Sequence, residues 1–242
     1  EWTLLRTVLV PKTGKDKKQA KNWRPITIGS AVQRLLHRVL IPKVSATVSL
    51  NRNQRGFVLT DGCLANFFIL DSLMGERTSA RRGLALVSLD IRKAFDSVSH
   101  HSITRALQRT GVPEYLSSYI QAKLQGAVTS FQVGRSSTRA LEIRRGVRQG
   151  DPFSPLLFNL VIDELLDTLD SMTENDCPFH SGPRCRVLAF AYDLLLVGDN
   201  AKDVSKLLDT TSAFFDRRAM VLHPDKCRAL VLAPSPQATF TT

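Results

Sequence analysis

The sequence predicts an α+β fold, a sheet backed by helices, and two strand signals together with the helical stretches between them carry that reading. The first is Leu84-Ala85-Leu86-Val87-Ser88-Leu89, an apolar run that ends on Asp90. The second surrounds Phe190-Ala191-Tyr192-Asp193, a short polar tip between the apolar runs Val187–Ala189 and Leu194–Val197. Apolar run, tip, apolar run reads as two buried strands whose tight turn holds the tip in one place. Acids on such strand ends are suited to gripping a cation, so Asp90 and Asp193 make one candidate metal site.

The elements follow in order. Residues 1–10 read as extended, and Lys12–Lys21 as a basic loop broken by Gly14. Ser30 caps a helix with apolar positions Val32, Leu35, Leu36, Val39 and Leu40, which Pro42 ends. A second helix covers Asp61–Met74, and Gly75–Arg82 forms a charged connection. After the Asp90 strand comes a helix capped at Ser99, then one starting near Pro113, with Gly111 and Gly126 as stops. Ala127–Val133 and Thr138–Ile143 flank Gly134-Arg135-Ser136 and read as a hairpin. Ser154-Pro155 is an N-cap with proline at the first helical position, launching an apolar helix through Leu169. A helix over Lys202–Phe215 and a strand pair around Val221 and Leu230 complete the sheet.

Lys+Arg 33 against Asp+Glu 22 gives a net charge of +11, which makes a polyanion the natural partner. At 242 residues and 43% hydrophobic content the chain can bury a sizeable core. It contains no run of eighteen apolar residues, so no membrane span is expected, and Glu1-Trp2-Thr3 opens without a signal-peptide pattern. Cys63, Cys177, Cys185 and Cys227 lack the spacing of a disulfide framework. Cys177, His180 and Cys185 sit close together, as do His223 and Cys227, but no C-x-x-C pair anchors a zinc site, and idle thiols are the simpler reading.

Between the acidic strand ends lies Arg145-Gly146-Val147-Arg148-Gln149-Gly150-Asp151-Pro152-Phe153-Ser154-Pro155, a glycine-bent loop that opens a helix. Upstream stand Leu9-Val10-Pro11-Lys12, Asn22-Trp23-Arg24-Pro25-Ile26 and Asn53-Gln54-Arg55-Gly56-Phe57; downstream stands Leu222-His223-Pro224-Asp225-Lys226-Cys227. In this order the blocks resemble the reverse transcriptases of non-LTR (LINE-type) retrotransposons, including the site-specific class that inserts into ribosomal DNA. The resemblance covers nearly the whole chain. It implies a right-hand polymerase palm with fingers, the fingers over 1–83 and the palm over 84–242, with a fingers-proximal insertion near 111–145. It places a thumb and flanking domains of the same polyprotein outside this chain. It also implies RNA-templated, target-primed DNA synthesis by two-metal nucleotidyl transfer, with two Mg²⁺ ions, an RNA template, a DNA primer or target and dNTPs as partners, acting in the nucleus.

The resemblance assigns roles residue by residue. Asp90, the backbone carbonyl of Ile91 and Asp193 match the metal ligands. Arg24 matches the arginine that grips the triphosphate, helped by lysines among Lys12–Lys18; a planar guanidinium suits phosphate oxygens. Phe95 matches the aromatic that packs under the incoming sugar and excludes a 2′-hydroxyl, which disfavours an RNA-dependent RNA polymerase with the same palm. Gln149 and Gly150 match the loop over the incoming base pair, and Lys226 the acid for pyrophosphate departure. Without the resemblance, Asp90 reads as an ordinary strand-end acid, Phe95 as core, Arg24 as a solvated cation, and Gly146 and Gly150 as turn residues. Asp96 and Asp151 read as structural acids before helices, and Asp163, Glu164 and Asp167 as a solvated helix face.

One position departs. Family members carry Ala-Asp-Asp at the hairpin tip, and this chain has Ala191-Tyr192-Asp193. A phenol with an ordinary pKa near 10 offers a neutral hydroxyl where an anion belongs. Each ~1.4 kcal/mol of lost transition-state stabilisation costs tenfold in rate, so little polymerisation is expected from this chain. The alternative is a non-enzymatic RNA-binding scaffold built on a degenerate palm.

Overall fold

The computed structural model describes residues 4–59, 61–172 and 185–232. The first elements are β1 (Leu4–Pro11), β2 (Trp23–Ile28), α1 (Ala31–Thr47), α2 (Gly62–Ser79), β3 (Leu84–Asp90), α3 (Ala94–Ser97), α4 (His100–Arg109) and α5 (Glu114–Leu124). They continue as β4 (Val128–Val133), β5 (Ser136–Ser137), β6 (Leu141–Glu142), α6 (Ser154–Ser171), β7 (Val187–Phe190), β8 (Asp193–Gly198), α7 (Ala201–Arg217) and β9 (Arg228–Leu232). Contacts divide the chain into two compact units, one from Glu1–Ser49 and Phe95–Val161, the other from Leu50–Ala94 and Ile162–Thr242. Among the described residues no helix is long and apolar enough to cross a membrane.

The first unit is built on a sheet ordered β2-β1-β4-β5, with β6 paired to β4. β1 runs antiparallel to β2 and parallel to β4, a pairing that joins residues more than a hundred positions apart and that no local pattern announces. Thr7 lies buried at its centre and bonds Thr27 at 2.9 Å and Thr129 at 2.8 Å, so three hydroxyls satisfy one another across three strands. The Ser30 hydroxyl accepts the Gln33 N–H and starts α1, as its residue type requires.

Helix α1 differs from expectation in two ways. It runs through Pro42 to Thr47, forgoing the one backbone bond that the proline nitrogen cannot donate. Its buried positions are Gln33, His37 and Val44, while Val32, Leu35 and Val39 are exposed. Periodicity finds two faces, and the polar face is the buried one because His37 is hydrogen-bonded on both ring nitrogens. Helices α4 and α5 pack together, and Ile103, Leu107, Leu116 and Ile120 are buried.

The second unit centres on the antiparallel sheet β7-β8-β3-β9. β3 is buried almost throughout, and Leu84 and Leu86 join Leu73 of α2 and Val197 of β8 in a core cluster flanked by Leu70 and Leu195. Helix α2 extends five residues past Met74, so Gly75–Ser79 belong to it rather than to a connection. Helix α7, capped by Asn200, lays Val204, Leu207, Thr211, Phe214 and Phe215 onto the sheet as one stripe. The expected pair around Val221 and Leu230 does not form: β9 joins β3, and Leu222 bridges Ile91 just beyond it.

Residues 51–56 add a strand-like segment beside β7. Ala189 donates its N–H to the Asn53 carbonyl and accepts from the Arg55 N–H, both at 3.0 Å. Asp163 is not on a solvated face; it is 2% exposed and accepts the Asn51 N–H at 2.6 Å. Asp170 accepts from the side chains of Asn51 and Asn53, and Glu164 pairs with Arg218 at 2.5 Å. Asp163 and Asp170 anchor this segment because each carboxylate meets a backbone or amide donor.

Truncating Leu73 to alanine empties the centre of the second unit's core. Leu73→Ala is expected to cost about 3 kcal/mol, read as a lower urea midpoint with an unchanged slope.

Candidate active site

The carboxylates come from a hairpin and its neighbour. β7 and β8 are joined by the two-residue turn Ala191-Tyr192, closed by the pair Phe190↔Asp193. Such turns need a left-handed residue, and Ala191 supplies it at φ +57° although it has a Cβ. In the β3–β8 ladder Asp90 stands directly opposite Asp193. Directly opposed residues project to one face with Cβ atoms about 5 Å apart, so pairing register alone makes these carboxylates neighbours. Tyr192, 39% exposed, sits on the turn beside them.

A third group arrives from the segment after α7. The His223 N–H donates to the Asp90 carbonyl and the Arg92 N–H to the Val221 carbonyl, both at 2.8 Å. These flanking bonds leave the Ile91 carbonyl outside the Ile91–Leu222 bridge. The following turn, Pro224–Lys226, aims Lys226 at Asp90, with Nζ 3.1 Å from each carboxylate oxygen. Partial burial raises the Asp193 pKa above the ordinary carboxylate value, and the Asp90 charge raises it further, against a smaller opposing pull from Lys226. Asp90, Ile91, Tyr192, Asp193 and Lys226 are thus brought together within the second unit.

The remaining expected residues gather in the first unit. Arg24 lies on β2, opposite Val10 of β1 and exposed. The loop before α6 is tied to that strand, since the Thr27 N–H donates to the Gln149 carbonyl at 2.8 Å. Gly150 has φ +111°, and a Cβ there would lie 2.9 Å from the Thr27 carbonyl oxygen, so close approach and backbone conformation both require glycine. The loop is also tied to the turn at α3: the Val147 N–H donates to the Phe95 carbonyl at 2.7 Å, and the Gln149 amide to Asp96 at 3.3 Å. Phe95 is half-buried, its ring 5.3 Å from that of Phe158. In the basic loop, Lys12 Nζ donates to the Lys21 carbonyl and the Trp23 indole to the Lys17 carbonyl, both at 2.9 Å.

Behind the loop lies a charged network whose extent no spacing signals. Asp151 accepts the Phe153 N–H at 2.9 Å and meets His37 Nδ1 at 2.6 Å, while His37 Nε2 bonds Tyr119 at 3.0 Å. An ionised carboxylate only accepts, so Nδ1 carries the proton. Burial by itself would raise the Asp151 pKa, but the His37 hydrogen bond and charge, the Phe153 N–H and Arg148 together hold it below the ordinary carboxylate value. Asp151 is structural, as expected, and it, rather than Ser154, accepts at the start of α6; the Ser154 hydroxyl donates to the Arg148 carbonyl.

Two carboxylates and a backbone carbonyl form a hard-oxygen donor set that suits Mg²⁺. One observation agrees with a cation there: an ammonium already rests on both Asp90 oxygens. The set fits one divalent ion in charge and falls an anion short for two. Among the described residues no cluster of three or more His, Cys, Asp or Glu side chains is placed to hold a metal. Cys177 and His180 lie outside the described residues; Cys185 is buried, and the Cys227 thiol donates to the His223 carbonyl at 3.4 Å.

Residues 10–240 match the family described as reverse transcriptase (RNA-dependent DNA polymerase). The chain is 48% identical to the retrovirus-related Pol polyprotein from type-1 retrotransposable element R2 of Popillia japonica, over 97% of this chain and 33% of that protein. It is 35% identical to the corresponding polyprotein from type-2 retrotransposable element R2DM of Drosophila melanogaster, over 98% of this chain and 22% of that protein. The chain therefore spans a third or less of these relatives. Among solved structures, a Candida tropicalis telomerase in complex with a fragment of telomeric RNA aligns at TM-score 0.70 and 11% identity, over 96% of this chain and 41% of that one. At that identity the fold is what the two share.

Partial burial of Asp193, with the opposed Asp90 charge, makes stability pH-dependent. As pH rises from the ordinary value of 3.8 through the raised pKa of Asp193, the folded state loses stability relative to the unfolded chain. Asp193→Asn is expected to stabilise the protein at neutral pH by under about 1 kcal/mol, since solvent screens the pair. The gain should vanish below the ordinary carboxylate range, as thermal melts across pH would show. Asp151→Asn has the opposite sign, because Asp151 stability is present above the ordinary carboxylate value and lost as pH falls through its lowered pKa. It is expected to cost about 3 kcal/mol at neutral pH by leaving buried His37 and Arg148 without their anion, read by denaturant unfolding.

Proposed function

Because the chain belongs to the reverse transcriptase (RNA-dependent DNA polymerase) family, with R2 retrotransposon polyproteins as relatives, we propose that it is the fingers and palm of an RNA-templated DNA polymerase silenced at one position, Tyr192. The observation that carries this reading is the register of β3 on β8, which sets Asp90 opposite Asp193 with Tyr192 next to them on the turn. On this reading the deficit is one anion.

The reaction joins the primer 3′ oxygen to the α-phosphorus of a deoxynucleotide and breaks the bond to pyrophosphate. Divalent ions held by Asp90, Asp193 and the Ile91 carbonyl would supply nucleophile activation and neutralise the triphosphate. Arg24 on β2 would hold triphosphate oxygens through its planar guanidinium. Phe95, held in place by the Val147 bond to its carbonyl, would pack under the sugar and favour a deoxyribose. Gln149 and Gly150 would form the loop over the incoming base pair, their backbone fixed against Thr27. Lys226 would give a proton to the departing pyrophosphate once it leaves Asp90. With a net charge of +11 the chain would bind its template chiefly through phosphates, with salt-sensitive affinity.

A second reading has one observation in its favour. The Lys226 ammonium, symmetric on Asp90, neutralises that carboxylate without a metal, as an RNA-binding scaffold on a degenerate palm would require. The readings separate on one substitution. Tyr192→Asp is expected to raise Mg²⁺-dependent primer extension on an RNA template by about a hundredfold or more, roughly 2.7 kcal/mol of barrier. Synthesis by the unsubstituted chain at the level of Tyr192→Asp would refute silencing, and silence from both with RNA still bound would establish the scaffold.

A further inference from the structure

The block Asn53-Gln54-Arg55-Gly56-Phe57 is grouped with the fingers by resemblance, yet its hydrogen bonds run to the carboxylate hairpin. Gln54 is 4% exposed, and its amide is spent on the turn. Its Oε1 accepts the Ala191 N–H at 2.8 Å and the Gly56 N–H at 2.9 Å, and its Nε2 donates to the Ala191 carbonyl at 3.2 Å. One side chain thus satisfies both backbone groups of the residue whose left-handed φ makes the turn. A two-residue turn without glycine at that position is strained, and it persists where its surroundings over-determine it.

Gly56 supplies the other half of the grip. A Cβ there would lie 2.2 Å from the Ala191 nitrogen and 2.8 Å from the Phe190 carbonyl carbon, both rigid backbone. The segment is itself held, by the Ala189 ladder bonds and by the Arg55 guanidinium donating to the Asn66 side-chain oxygen at 3.1 Å. The arrangement is therefore more than packing: a buried amide reads the turn's backbone, and a missing side chain lets it come close.

We propose that Gln54 is a positioning residue for metal binding, which together with Gly56 clamps the Ala191-Tyr192 turn and so fixes where Asp193 stands opposite Asp90. Gln54 touches no reacting atom; it acts through the Ala191 peptide. The inference rests on Asp90 and Asp193 being the cation ligands. Outer partners of metal ligands typically change affinity by about 10–100-fold when removed, whereas a residue that only adds stability leaves the affinity of the folded protein alone.

The test is Mn²⁺ titration of the full chain by electron paramagnetic resonance, well below the melting temperature, with Asp193→Asn defining the ions bound elsewhere. Gln54→Met keeps most of the volume and removes every amide bond. It is expected to weaken Asp193-dependent Mn²⁺ binding about tenfold while circular dichroism reports a folded protein. Gly56→Ala keeps the amide and pushes the turn, so it should weaken binding in the same direction and guards against failure of the first variant to fold. Unchanged Mn²⁺ affinity in a folded variant overturns the clamp and leaves the carboxylate site standing. Absence of Asp193-dependent Mn²⁺ binding in the unsubstituted chain overturns the site itself, and the clamp with it.

Discussion

Two like charges held on neighbouring strands are the constraint on which the second unit turns. Backbone pairing sets Asp90 against Asp193, and the β3–β8 ladder that does so also carries Leu86 and Val197 into the core. Slipping the register by one residue would relieve the repulsion but turn the apolar side chains outward, so the sheet cannot escape in that way. The charge is compensated locally instead. Lys226 lies on Asp90, held by a short turn whose entry is bonded to the Asp90 carbonyl itself. Asp193, on the hairpin side, has a pKa raised first by burial and then by the Asp90 charge. Negative charge on a rigid support is what a divalent cation requires.

The first unit solves a different electrostatic problem. Asp151 is nearly buried and would be costly alone, but His37, Arg148 and the Phe153 N–H surround it. Satisfied buried networks of this kind rigidify what they touch, here the loop from Gly146 to the start of α6. Thr27 and Phe95 bind the loop from outside through its backbone, so Gln149 and Gly150 are held from both directions. The exposed apolar side of α1 follows from the same network, because His37 draws the polar face inward.

Much of this was legible along the chain. The strand ending on Asp90, the hairpin around Ala191-Tyr192, and the caps at Ser30 and Ser99 depend on residues within a few positions of one another, where propensity and period act directly. The illegible parts share a cause. That Asp163 would be buried on Asn51, that His37 would face Asp151, and that Gln54 would hold Ala191 are pairings across more than a hundred residues. Period analysis marked Asp163 as surface because an acid on an amphipathic helix usually is, and a backbone donor in the right place reversed it. Gln54 stood in a recognised block, and the adjacent Gly56 was a signal of close approach, but nothing local identified what approached.

By itself, then, the sequence determined the kind of element at most positions, the family, and the single departure at Tyr192, because each is written in residue type and order. The tertiary structure alone decided which faces are buried and which charges meet. Those outcomes depend on partners that chain order does not specify: a parallel β1–β4 pairing, an ammonium delivered to Asp90, and an amide that spans from residue 54 to the turn at residue 191. Burial and hydrogen bonding are properties of pairs, and the pairs exist only once the chain has folded.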